Sequence, residues 1–464
     1  MQKSSVAEIA SSELDGRFHG EVIGPDHSSY DEARAVFNAM IDRRPGLIAR
    51  CTGADDVVAA LAFARRHELA VAVRGGGHSA AGQGVCDDGV LIDLVGMRQV
   101  EVDPQARRAV AGGGVLWGEF DAATQEHGLV APGGRVTTTG VGGFTLGGGY
   151  AWISSKYGLA LDALRSAEVV TADGQVLTAS EDENPDLFWG IRGGGGNFGV
   201  VTRFEFELER LGPLVYAGLS LWPVERAAEV LRGWRDYVDG APDELSTAAV
   251  IITAPPEDFV PDHLKGQLAV GLGGCYVGDV EAGAEAFAPL KALEPEVDLI
   301  QPMPYTAFQA ILDPSAPAGQ RNYWRGEYMT ELSDAAIDTF IENAPKPLVP
   351  PFSQMLFFRM GGAVSAVADD ATAFSHRDAE YLFHPIAVWQ DPAMDEQVIG
   401  ASRAFCDAMR PFTTGAAYLN FTTDADRVRS AFGEEKYARL VELKDRYDPD
   451  NIFRLNQNIQ PSRA

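Results

Sequence analysis

Three consecutive glycines followed by a histidine, in Val73-Arg74-Gly75-Gly76-Gly77-His78-Ser79, constrain this chain more than any other stretch. The run follows a helix-like segment and a short apolar strand, so it sits on a tight turn. Glycine lets a backbone approach a phosphate closely and adopt positive φ at little steric cost. A histidine fixed at the end of such a loop reaches past the phosphates to the ring of a nucleotide cofactor.

The surrounding pattern supports an α+β fold. Residues 46–51 predict a strand, and Ala54 to Glu68 carries apolar residues at helical spacing, with Asp55 and Asp56 in the first turn. Strands are predicted at 70–74, Val90–Leu94, Gln99–Asp103 and Arg108–Gly112, and a helix over Val115–Gly128. The glycine-rich character ends near Leu211–Pro213. From Val215 to about Thr414 strands and helices alternate, with strands at Leu268–Tyr276, Tyr323–Tyr328, Gln354–Met360 and Tyr381–Trp389. Residues 415–464 close the chain with a short segment at Ala417–Phe421, a helix over Arg439–Arg446 and a polar tail. A chain of 464 residues suits two domains, or one split by an insertion.

Two further glycine clusters matter. Gly194-x-Gly196-x-x-Gly199 matches the dinucleotide fingerprint, but a strand is predicted after it where that fingerprint requires a helix. It is a false match to that fold, and still a plausible glycine loop on the same cofactor. The run Thr137 to Tyr150 offers backbone N–H groups and threonine hydroxyls to a pyrophosphate. Three such clusters plus His78 point to a flavin site, with the histidine a candidate for a bond to the flavin.

Together these segments bring a family into view. Arg74-Gly-Gly-Gly-His78-Ser79, Ile92-Asp93-Leu94, Gly142-Gly143, Gly147-Gly-Gly149 before Lys156-Tyr157-Gly158-Leu159, and Trp189-Gly190-Ile191-Arg192 before Asn197-Phe198-Gly199 resemble the berberine-bridge-enzyme-like FAD-linked oxidases, a branch of the vanillyl-alcohol-oxidase-type flavoproteins. The closing Tyr447-Asp448-Pro449-Asp450-Asn451-Ile452-Phe453 and Asn456-Gln457-Asn458-Ile459 resemble that family's C-terminus. The resemblance runs from about Pro25 to Pro461.

The resemblance implies a two-part FAD-binding domain, residues 1–210 and 415–464, with a substrate domain carrying an antiparallel sheet inserted at 211–414. It implies that Arg74, Gly75, Gly76, Gly77, His78, Ser79, Thr138, Thr139, Gly140, Gly142, Gly143, Thr145, Gly148 and Gly149 hold the pyrophosphate and ring. Gly199, Val200 and Val201 would complete the nucleotide site, and Tyr418 and Asn420 would face the ring from the tail. His78 matches the histidine that members join to the flavin 8α-methyl carbon, a bond that a neutral imidazole is suited to form. The implied activity is oxidation of a small molecule at a C–H next to oxygen or nitrogen, with dioxygen as acceptor and hydrogen peroxide as product. A same-fold dehydrogenase and a non-catalytic flavin-binding protein are the alternatives.

The chain departs from the family at two positions. Some members carry a second flavin bond from a cysteine at the place of Val136, which predicts a single attachment here. Some place a catalytic tyrosine where this chain, in Tyr418-Leu419-Asn420-Phe421, has Phe421. A phenyl ring cannot accept a proton. Tyr418, Tyr323 and Glu327 are candidates for a relocated base, and a neutral amine substrate would need none. The family position that gates dioxygen is Thr145. Tyr323, Arg325 and Glu327 would share one strand face. His376-Arg377, His384, Trp389, Tyr150 and Trp152 are weaker candidates for the substrate pocket.

The net charge of −28 argues against nucleic-acid and anionic-lipid surfaces. Cys51, Cys86, Cys275 and Cys406 are far apart, which predicts neither a metal site nor a disulfide framework and fits a reducing compartment. Met1 to Leu14 has no apolar core of a leader, and no window is long and apolar enough to cross a membrane. A cytoplasmic protein is the expectation.

Overall fold

The computed structural model describes residues 6–14, 16, 18–424 and 427–463, so the first five residues of the Met1–Leu14 segment lie outside it. A small sheet comes first. Leu47–Arg50, Val90–Asp93 and Val71–Arg74 lie parallel in that spatial order, with Glu21–Ile23 antiparallel at the edge. Val90–Asp93 is buried at every residue, as a parallel strand covered on both faces must be. Helix Ala54–Arg66 joins the first two strands of the parallel set in the chain. Its Asp56 carboxylate accepts from the backbone N–H of Thr52 at 2.8 Å and of His19 at 2.7 Å, which fixes the helix entry.

A second, wholly antiparallel sheet has the order Val100–Asp103, Arg108–Gly112, Val200–Glu207, Leu164–Val170, Val176–Ser180. Its core includes Trp117, Phe120, Phe188, Phe204 and Phe206, and takes in Leu440, Leu443, Tyr447 and Ile459 from the chain's end. The tail is pinned there by Lys444, which is fully buried. Its ammonium donates to Asn197 O at 3.0 Å, Phe453 O at 3.1 Å and Asp448 Oδ2 at 2.6 Å. Asp448 also accepts from the N–H groups of Ile452 and Phe453. That is the structural work of the Asp-Pro-Asp-Asn motif near the C-terminus: a buried charge pair with its remaining valences satisfied.

The third sheet is antiparallel and has nine strands. Its main path runs Val297–Asp298, Leu214–Pro223, Leu268–Tyr276, Leu245–Thr253, Gln354–Arg359, Tyr381–Trp389, Arg321–Trp324. Gln301–Pro304 and Glu327–Met329 pair onto its flanks. One face, with Met355, Phe357 and Phe383, packs beneath helices Ala227–Val238, Asp334–Asn343 and Asp395–Met409. The other face turns toward the glycine loops and carries Gln354, Leu356, Phe358, His384, Ile386 and Val388, all lining one cavity. Period-2 alternation thus divides each strand between a helix-covered layer and a cavity wall.

One expectation changes. The strand expected over Tyr323–Tyr328 is two strands, Arg321–Trp324 and Glu327–Met329, interrupted at Arg325–Gly326. The tail docks at the break: Tyr418 N–H donates to Gly326 O at 3.0 Å, and a Cβ on Gly326 would press on Phe421. Within the Gly/Thr run, Val141–Leu146 closes into a short helix. No helix among the described residues is long and apolar enough to cross a membrane.

Candidate active site

One cavity reaches from the glycine loops to the nine-stranded sheet. Its first half is mostly backbone. The loop 75–77 leaves strand Val71–Arg74 and meets Gly140 so closely that a Cβ on Gly76 or on Gly140 would collide with the other loop's backbone. Gly77 has φ +71, the left-handed region that glycine enters without a Cβ penalty, and its carbonyl accepts from Phe37 N–H at 3.1 Å. By contrast, a Cβ at Gly143, Gly195 or Gly196 would have nothing within 4 Å. Gly143, Gly195 and Gly196 all line the cavity, so their bare backbone faces space that a ligand can fill.

His78 stands at the mouth of that loop. Its ring stacks on Phe37 at 4.3 Å between centroids, and Nε2 shares a 2.8 Å hydrogen bond with Thr138 Oγ1. Burial pulls its pKa down to about 4, so the imidazole is neutral at ordinary pH. Arg74 also lines the cavity, yet its guanidinium is committed: Nη2 donates to Asp93 Oδ2 at 2.7 Å, Nε to Asp93 Oδ1 at 3.2 Å and Nη1 to Ala35 O at 3.0 Å. Asp93 is fully buried, so the pair ties two parallel strands together and explains the Ile-Asp-Leu motif. From the tail, Asn456 Nδ2 donates to Gly196 O at 3.2 Å. The buried oxygens Asn456 Oδ1 and Gln457 Oε1 have no partner among the described residues, and both residues line the cavity. Unpaired buried acceptors beside bare glycine backbone fit a polar nucleotide.

The second half is side chains. Leu356 and His384 are cross-strand partners, as are Gln354 and Ile386. His384 stacks on Phe421 at 4.1 Å with the planes 8° apart. Its Nδ1 lies 2.7 Å from Arg325 O. A carbonyl only accepts, so Nδ1 carries the proton and Nε2 is the bare acceptor. Burial, aided by the charge of Arg135, pulls the His384 pKa to about 3.

The candidates from sequence separate cleanly. Arg74 to Ser79, Thr139, Gly140, Gly142, Gly143, Gly199, Val200, Val201 and Asn420 line the cavity. Thr138, Thr145, Gly148, Gly149 and Tyr418 do not; Thr138 is exposed and bonded to His78, while Thr145 and Tyr418 are buried. The Tyr418 hydroxyl is taken up by the protein: its oxygen accepts from Gly149 N, Tyr150 N and Asn420 Nδ2 at 2.9–3.2 Å, and burial raises its pKa. Tyr323 is also off the cavity, its hydroxyl bonded to Asp424 and Arg403. Glu327 is held by Arg325 and Arg427 in the same charged network. The expected shared face of Tyr323, Arg325 and Glu327 is therefore an ion-pair cluster rather than a substrate wall. Arg377 is buried against Asp162, and Trp389 donates to Asp395, so both are structural. Phe37, Arg135, Trp324 and Phe358 line the cavity without having been named for it. Among them Arg135 had a sequence signal, an arginine immediately before Val136.

Similarity to known proteins agrees with this geometry. Residues 45–180 match the FAD binding domain family, and residues 417–460 the berberine and berberine-like family. The chain is 31% identical to (R)-6-hydroxynicotine oxidase of Paenarthrobacter nicotinovorans, over 95% of this chain and 97% of that one. It superposes on the crystal structure of 6-hydroxy-D-nicotine oxidase from Arthrobacter nicotinovorans with TM-score 0.87 and 29% identity, covering 96% and 98% of the two chains. The glucooligosaccharide oxidase of Acremonium strictum, described with a 6-S-cysteinyl, 8α-N1-histidyl FAD, shares the fold at TM-score 0.86 and 23% identity over 99% of each chain. Fold and site define an FAD-binding oxidoreductase. The chain belongs to the berberine-bridge-enzyme-like family of FAD-linked oxidoreductases.

Proposed function

We propose that the protein is an FAD-dependent oxidase acting on a small molecule at a C–H next to oxygen or nitrogen, with its FAD bonded once, through His78. The observation that carries this is the His78 imidazole, which lines the cavity, rests on Phe37 and is neutral above about pH 4. A neutral imidazole is the nucleophilic form. The bound FAD would supply the redox chemistry, accepting a hydride and returning electrons to dioxygen as hydrogen peroxide. Gly75–Ser79, Thr139–Gly143, Gly195–Val201, Asn456 and Gln457 would hold it. Val136 stands where a second attachment would need sulfur, and the four cysteines are buried elsewhere. These unpaired thiols fit a cytoplasmic setting. On this reading a division at 1–210, 211–414 and 415–464 would put the glycine half in a two-part cofactor domain and the sheet half in the insertion.

On the substrate side we assign hydrogen-bond acceptance to His384. Its Nδ1–H is spent on Arg325 O, so Nε2 is free to accept a hydrogen bond from a substrate hydroxyl or amine and to orient that group as hydride leaves, itself staying neutral. Phe421 contributes a face for the imidazole instead of the missing hydroxyl.

The test is anaerobic mixing of the FAD-loaded protein with panels of alcohols, amines and carbohydrates, followed by air. A substrate of the expected kind bleaches the flavin, and air restores the colour within seconds while peroxide accumulates. Reduced flavin that survives for minutes in air-saturated buffer contradicts the oxidase reading. Failure of every panel member to bleach it contradicts the catalytic one.

A further inference from the structure

The cavity contains one charge that the protein leaves unbalanced. Its lining includes two arginines and, among the described residues, no aspartate, glutamate or lysine. Arg74 is neutralised by Asp93. Arg135 has no ion-pair partner among the described residues. Its guanidinium carbon stands 4.0 Å from the Phe358 ring centroid and 4.7 Å from those of Tyr150 and Trp152. Nη2 donates to Ala151 O at 3.2 Å, and Nε is buried without an acceptor. Burial lowers its pKa to about 10, which still leaves it charged at neutral pH.

An enclosed, unpaired cation is unfavourable, and aromatic faces offset only part of that cost. A chain with a net charge of −28 has carboxylates in excess, yet puts none beside this one. Aromatic rings of Phe358, Tyr150 and Trp152 flank it, and the sheet half of the lining adds Leu356, Ile386 and Phe421 beside Gln354 and His384. Arg135 and His384 belong to the same half, close enough for the charge of one to lower the pKa of the other.

We propose that Arg135 anchors a carboxylate on the substrate, which is a small apolar or aromatic acid carrying the alcohol or amine to be oxidised. The planar guanidinium offers N–H groups in the fork that a carboxylate matches, and such bonds are the strong charge-assisted kind. The same charge repels a substrate whose only ion is an ammonium. Apolar walls leave an oligosaccharide few partners for its hydroxyls. The proposal rests on the oxidase reading only in taking the sheet half as the substrate chamber.

The experiment uses FAD-loaded protein and three shape-matched probes: phenylacetate, phenylacetamide and phenethylamine. Binding is followed by calorimetry and by the shift of the flavin visible bands, with no turnover required. Phenylacetate should bind roughly ten- to hundredfold more tightly than the amide, and the amine more weakly still. Arg135→Met should remove the acid-over-amide preference while changing amide affinity little, and Arg135→Lys should keep part of it. Equal affinity for acid and amide in the wild type, or preference for the amine, overturns the proposal. So does an Arg135→Met variant that keeps the preference, or one in which only the flavin midpoint potential changes, since the guanidinium would then serve the cofactor. If Arg135→Met does not fold, the wild-type ranking and Arg135→Lys decide the question. Absence of bound FAD would strike the oxidase reading instead, and is read separately from the absorbance of the purified protein.

Discussion

The two halves of the cavity contain two histidines in nearly the same state. His78, half-buried, and His384, buried, are each stacked on a phenylalanine and each held neutral, with pKa values of about 4 and about 3. What separates them is the scaffold. His78 ends a glycine loop, and no partner of its Nδ1 is found among the described residues. His384 sits mid-strand with Nδ1 committed to a backbone carbonyl. In the proposed reading the same protonation state suits opposite roles: a nucleophile presented on a loop to the cofactor, and a hydrogen-bond acceptor held on a strand toward the substrate. The glycine half of the cavity is walled mostly by backbone, the sheet half by side chains.

Glycine replacement should break the comparison most severely. Gly76→Val puts a branched side chain where the Gly140 backbone lies, and FAD loading should fall to near zero, as read from visible against ultraviolet absorbance. Normal loading would show that the two loops part easily and that the close approach is not needed for the cofactor site.

His384→Phe should come next. It keeps a ring against Phe421 and removes the acceptor, so flavin reduction should slow by roughly ten- to hundredfold at unchanged FAD content. The same pair of imidazoles sets an acid dependence. An unfolded histidine binds a proton below about pH 6.5, while the folded ones resist until about pH 4 and about pH 3. Stability should therefore be full above pH 6.5 and fall as pH drops toward 4, by on the order of 3 kcal/mol for His384 in cofactor-free protein and by less for the half-buried His78. The fall of the urea midpoint across that range should be reduced by more than half in His384→Phe. An unchanged acid slope would mean that His384 is not buried neutral.

Tyr418→Phe is the milder counterpart. It deletes an acceptor shared by two backbone N–H groups and Asn420, so about 1–3 kcal/mol of stability should be lost with reduction slowed only severalfold. A large rate loss together with disappearance of the basic limb of the pH profile would return the base role to Tyr418. Smallest is Thr145→Leu. Thr145 is fully buried behind the lining at the family's oxygen-gate position, and reoxidation should slow a few-fold while reduction holds. Equal slowing of both steps would remove any gating role.

Legibility in the sequence follows the same divide. Gly75–Gly77, Gly140–Gly143 and Gly193–Gly199 stand out because a backbone that must approach a cofactor or another backbone tolerates one residue type. The strand after Gly199, which rejects the dinucleotide fingerprint, is also where alternation placed it, at Val200–Glu207. The substrate half is harder to read because its strands are apolar on both faces. In Gln354–Arg359, Met355 and Phe357 face helices while Leu356 and Phe358 face the cavity, and nothing in composition separates the two sets. Leu214–Pro223 and Leu245–Thr253, inside the same sheet, escaped notice for that reason. Tyr323 and Glu327 misled because a titratable side chain on a strand looks alike whether it meets a substrate or, as here, Asp424 and Arg427.

The most direct test of the central claim is the site of flavin attachment. Protein is denatured in acid, digested with trypsin and sequenced by fragmentation mass spectrometry on the peptide Gly75–Arg98, which holds both His78 and Cys86. Cys86 is a buried thiol whose pKa is pushed up to about 11, so it is a poor competitor. The account predicts that the precipitate stays yellow, that the flavin mass resides on His78 and that His78→Ala releases all flavin on denaturation. Free FAD in the supernatant of the wild type, or a flavin on Cys86, would contradict it.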